Sequence, residues 1–133
     1  MAEKMEVELC GQRRTLMFTV GAAEAMEKKA GTLEGLADWL SGGTQMQILS
    51  RCLDVLQVLF AEGELYERLQ AKYGGAERDP LPIPTTEELK SLYSVQDLAF
   101  LQTAIFGAMA SGQKQDVESK PVEASGKNAS ATS

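Results

Sequence analysis

Any chemistry this chain performs would have to come from two thiols, Cys10 and Cys52, and from its carboxylates, because it contains no histidine. That absence removes the commonest general base near neutral pH and the commonest metal ligand together. Paired carboxylates can do acid-base work on a glycosidic bond, and Glu62 with Glu64 and Glu87 with Glu88 are close enough in sequence to be considered. Their positions read instead as helix N-terminal charges and solvated faces. Cys52 falls in an apolar run and reads as a small core hydrophobe. Cys10 lies at a turn, more exposed, with nothing nearby able to activate it. No G-x-G-x-x-G or G-x-x-x-x-G-K loop occurs, no metal-spaced Cys or His, and no Ser-His or Cys-His arrangement is possible. The expectation is a protein with no catalytic residue, no metal site and no cofactor, acting through its surfaces.

Charge narrows the partners of such a surface. Residues 1–112 hold 10 Lys or Arg against 16 Asp or Glu, whereas residues 113–133 hold three of each sign, so the whole net charge of -6 sits on the first part. An acidic surface repels phosphate backbones, and no basic cluster reverses that, so nucleic acid is disfavoured and not expected as a partner. Two cysteines far apart, in a chain whose first residues (MAEKMEVEL) lack an apolar signal segment, fit reduced thiols in a cytosol.

The elements that must carry the surface are organised around residues 44–60 (TQMQILSRCLDVLQVLF). Their apolar positions leave one narrow polar stripe at helical spacing, the pattern of a helix buried on most of its circumference. Thr44 after Gly42-Gly43 suits an N-cap. The polar stripe interrupts every run of about 18 to 20 apolar residues, so a membrane span is not expected.

Around that helix the sequence predicts a mainly α fold with a small N-terminal β-hairpin, residues 1–112 forming one folded domain. The hairpin occupies about 5–20, with alternating Met5, Val7 and Leu9, a turn over residues 10–13 and a second strand over 15–20. Helices are expected over about 21–30, ended by Gly31, over 32–40, capped by Thr32 and carrying the only tryptophan, Trp39, as a core plug, and over 44–61. After Gly63 a kinked extension or separate helix covers 64–73, with Leu65, Leu69 and Tyr73 on one face and a Glu64 to Arg68 pair at i,i+4. Residues 74–86, with prolines at 80, 82 and 84, read as a stiff spacer. A short helix follows over 86–92, then one over 95–111 opened by a Ser94-Asp97 capping box and stopped by Gly112. On this last helix Leu98, Leu101, Ile105, Ala108 and Met109 form the apolar stripe. Phe100 falls on the opposite side, at about 100° per residue, and is expected to be covered by another element. Residues 113–133 are too polar to offset the entropy of ordering and should form a disordered tail.

At this point the order of elements resembles a known family. A hairpin, then F-T-V-G-A-A-E-A-M-E-K-K-A-G over residues 18–31, an apolar central helix, a Pro-rich joint with T-T-E-E-L over 85–89, and S-V-Q-D-L-A-F-L-Q-T-A-I-F-G-A-M-A-S-G over 94–112 are together similar to the tail assembly chaperones of long-tailed bacteriophages and prophages. Residues 62–84 are longer than the corresponding joint in compact members. The resemblance implies a non-enzymatic assembly factor in the cytoplasm of the bacterial host. Such a factor binds the tape measure protein, keeps it soluble while tail tube protein polymerises around it, and is absent from the mature virion. A holdase of this kind needs exposed apolar helix surface with adaptable Met and aromatic side chains. Phe100, Phe106 and Met109 on the last helix and Leu65, Tyr66 and Tyr73 after the core helix are the partner-binding candidates, and the same surfaces allow a homo-oligomer. A head-tail connector or tail completion protein, and a small host adaptor, are the alternatives with the same composition.

Overall fold

The computed structural model describes the backbone of residues 5–119 and the side chains of residues 5–111. It is mainly α with a two-stranded antiparallel hairpin at its N-terminal end. Strand β1 (Met5–Leu9) pairs with β2 (Gln12–Leu16), with Met5 opposite Leu16 and Leu9 opposite Gln12. The connection is only Cys10 and Gly11, with φ of 54° and 82°. Positive φ at both central residues gives a turn whose twist matches that of the paired strands. The second strand therefore starts at Gln12 and ends at Leu16, earlier than the 15–20 expected from composition. Met17 leaves the hairpin and donates its N–H to the Leu59 carbonyl.

Helix α1 (Val20–Ala30) is capped by the Thr19 hydroxyl, which accepts the Ala22 N–H, and ends at Gly31 with φ 95°. Helix α2 is shorter than the predicted 32–40 and covers only Leu36–Ser41. Thr32 does accept an N–H, but from Gly35, so it closes a single turn in front of the helix instead of starting it. Trp39 packs half-buried against the core, with the Arg51 guanidinium 5.4 Å from its ring.

Helix α3 runs unbroken from Gln45 to Tyr73, so the division into 44–61 and 64–73 is not found. Gly63 interrupts nothing because the helix needs it. A Cβ there would fall inside the Thr15 carbonyl oxygen, where β2 crosses the helix, and only glycine permits so close a backbone approach. The N-terminus carries a full capping box between Thr44 and Gln47. Leu49, Cys52, Leu53, Val55, Leu56, Leu59 and Phe60 are all buried, as the circumference pattern predicts. The hairpin, α1 and α2 pack on this helix.

Helix α4 (Thr86–Leu92) opens on a Thr85-Glu88 capping box and packs on α3. A Ser94-Asp97 box then starts a 3-10 turn (Val95–Asp97) that leads into α5 (Leu98–Ser119). Gly112 does not stop α5. An isolated glycine costs a helix interior only about 1 kcal/mol, and Gln113, Lys114, Gln115 and Glu118 are good helix formers with no proline before Pro121. Residues 113–119, expected in the tail, are thus helical, and the remainder of that tail, 120–133, lies outside the described residues. Leu101, Ala104, Ile105 and Ala108 bury the inner face of α5 against α3 and β1. No helix among the described residues is long and apolar enough to cross a membrane.

Candidate partner-binding surfaces

Among the described residues, two helix faces carry more than one exposed large apolar side chain. One is the last two turns of α3, where Leu65, Leu69 and Tyr73 recur every four residues, and Tyr73 is 79% exposed. The stripe is narrow. Exposed Arg68 and Lys72 interleave with it, and the Lys72 ammonium sits 5.2 Å from the Tyr73 ring. Tyr66, predicted with this group, is half-buried on the other side of the stripe.

The second surface is the outer face of α5. Phe100 is 45% exposed and Phe106 40% exposed. The expectation that another element covers Phe100 is therefore not met: among the described residues its ring stacks on Tyr93, at 6.1 Å between centroids and 28° between planes. Burial raises the Tyr93 phenol above its ordinary value, helped by Asp97 and Cys10, and its buried hydroxyl has no hydrogen-bond partner among the described residues. Met109 turns inward and packs on the core, so it does not join the two phenylalanines. Exposed Thr103 lies between them, with exposed Ala99 and Ala110 on either side along the helix. From Leu98 to Gly112 the helix contains no charged residue at all. A surface helix normally carries charged or polar residues on the face turned away from the core, and over these residues that face has no charge. Exposed Leu92 and Val95 continue the apolar character just ahead of the helix.

Polar residues that composition had assigned to solvated faces turn out to bind the elements together. Glu64 is only 3% exposed. Arg78 reaches its two carboxylate oxygens at 2.6 and 3.0 Å, Arg68 donates at 3.1 Å, and the Leu81 N–H donates at 2.9 Å. Burial by itself would raise this carboxyl; hydrogen bonds from Arg78, Leu81 and Arg68 outweigh it and bring it down to about 2. The Glu64 to Arg68 pair was predictable from spacing, whereas the Arg78 arm spans 14 residues and no local pattern announces it. On either side of it along the same helix, Glu62 accepts the Thr19 hydroxyl at 2.6 Å and Glu67 accepts the Thr15 hydroxyl at 3.0 Å.

The same network changes the reading of residues 74–86. They form a strap and not a free spacer: Arg14, buried over the Phe60 ring at 5.8 Å, donates to the Pro82 carbonyl at 2.7 Å, and Gln57 donates to the Pro84 carbonyl at 3.2 Å. Strap, hairpin and α4 line an open cleft of about 530 Å³, to which Leu9, Arg14, Ile83, Glu87, Glu88 and Leu92 contribute.

Cys10 is exposed and Cys52 buried, where desolvation pushes its thiol up and makes it inert. Among the described residues no group of three His, Cys, Asp or Glu is placed to hold a metal ion. Fold and surface together define a small mainly α protein with an uncharged helical face. No protein-family model, no curated protein and no solved structure matches the chain.

Proposed function

We propose that this protein is a non-enzymatic tail assembly chaperone that holds apolar helices of a phage tape measure protein in the cytoplasm of the bacterial host, before tail tube protein closes around them. The observation that supports this reading best is the outer face of α5, where Phe100 and Phe106 are exposed on a helix without charge over residues 98–112. An amphipathic or apolar helix can lie along such a face and remove both surfaces from water, at about 25 cal/mol per Å² of apolar area. The acidic remainder, net -6, keeps the complex soluble. The stripe of Leu65, Leu69 and Tyr73 offers a second, narrower contact, suited to a long client that bridges several copies.

Co-expression with the tape measure protein of the same genome tests this. The expected result is a soluble complex of the two in the host cytoplasm, with this protein missing from purified mature particles. A tape measure protein that stays insoluble in its presence, or a chain that persists stoichiometrically in mature particles as a connector would, overturns the reading.

A further inference from the structure

We infer that, without a client, the outer face of α5 is occupied by a second copy of this chain, the two α5 helices lying antiparallel about a two-fold axis at Thr103. This contact does not depend on the proposed client. Two copies each carrying -6 repel one another over most of their surfaces. The face of α5 between Leu98 and Gly112, about 22 Å long at 1.5 Å per residue, is the stretch where the copies meet without that cost, because it has no charge. Antiparallel pairing also sets the helix dipoles head to tail and keeps the two Asp97 carboxylates apart, whereas parallel pairing brings both to one level.

The residues on the face fit this operator. At about 100° and 1.5 Å per residue, Thr103 marks the centre, Phe100 and Phe106 stand to either side of it, and Ala99 and Gly107 lie beyond them. On the outward face alone the order small, Phe, Thr, Phe, small (Ala99, Phe100, Thr103, Phe106, Gly107) reads the same in both directions, Leu101 and Ile105 being buried in the core. A two-fold contact demands such self-complementarity, since residue i must meet j and j must meet i. With the axis at Thr103, Phe106 of each copy seats on Ala99 of the other, and Phe100 seats beside Gly107, where Met5 borders the face. Large rings thus meet small residues at both ends, and the centre closes on two threonines. A single helix face falls below the ~1,200 Å² of a standard interface, so the pair is reversible and can be displaced by a longer apolar helix.

Cysteine crosslinking on the full chain tests the geometry, in a Cys10→Asn background that removes the exposed thiol and suits the positive φ at that position. A mixture of Ala99→Cys and Phe106→Cys chains should form the heterodisulfide roughly tenfold faster than a mixture carrying Ala99→Cys and Glu34→Cys, reflecting the effective concentration of a docked pair. Ala99→Cys mixed with Phe100→Cys, the pair a parallel arrangement would favour, should stay at the control rate. Sedimentation of the otherwise native chain should show concentration-dependent dimer, lost in Thr103→Glu while the helical circular dichroism is kept. A chain that stays monomeric at all concentrations, a dimer that survives Thr103→Glu, or preferential crosslinking of the parallel pair would each overturn the inference.

Discussion

At the scale of single residues, Glu64 is where removal of a few atoms should matter most. Its carboxylate is buried and shared by Arg68, Arg78 and the Leu81 N–H. Glu64→Ala leaves two guanidinium groups and a backbone donor without their acceptor, and should cost about 3 kcal/mol, the scale for breaking a buried pair. Chemical denaturation of the two proteins at neutral pH measures it. The same site predicts an acid transition. The carboxyl ordinarily titrates near 4.5 and in the fold at about 2, a depressed value. Its contribution is therefore complete above pH 4.5 and is lost as pH falls from there through about 2. Stability of the native chain should decline over that window, and the decline should be shallower in Glu64→Gln, read by urea midpoints across pH.

Glycine and cysteine positions make opposite predictions by the same backbone argument. Gly63→Ala forces a methyl into the Thr15 carbonyl and must push β2 off α3; overpacking of this kind costs about 1 to 3 kcal/mol or more. Cys10→Asn should instead stabilise by about 0.5 kcal/mol, because Asn-Gly is the preferred pair where both central residues have positive φ. Melting temperatures of the two variants, compared with the native chain, should move in opposite directions.

At the scale of elements, Phe100→Ser and Phe106→Ser should each change stability by less than about 1 kcal/mol, since exposed side chains away from caps and cores rarely matter more. Thermal unfolding checks this, and a large loss would mean that α5 needs those rings for its own packing. How much of the elements could be read in advance follows from what kind of physics sets them. Helix existence, the burial of α3 and the caps at Thr44, Gly31 and Ser94 were legible, because apolar periodicity and capping are local. The join of residues 44–61 to 64–73 was not, because Gly63 answers to β2, which lies 48 residues earlier at Thr15. The strap was misread for the same reason: prolines mark an extended backbone, but the Arg14, Gln57 and Glu64 bonds that hold it are contacts between distant segments. Of the surface candidates, Leu65, Tyr73, Phe100 and Phe106 are exposed, while Met109 packs inward and Tyr66 is half-buried. Phe100 could have been placed by the absence of any later apolar segment able to cover it, and the missed signal was the uncharged run from Leu98 to Gly112.

At the scale of the whole molecule, the arrangement separates a packed frame from an exposed apolar helix face. The hairpin, α1, α2 and the strap all fasten to α3 through buried side chains and the Glu62, Glu64 and Glu67 carboxylates. This leaves the outer side of α5 exposed at Phe100 and Phe106. The proposed holdase would bind by area and shape without reading a sequence. The most direct measurement is the soluble fraction of the tape measure protein when co-expressed with the native chain and with the Phe100→Ser/Phe106→Ser variant. The variant should fold and accumulate normally yet leave the tape measure protein as insoluble as it is alone. Equal solubility with the variant and the native chain would contradict the proposed function.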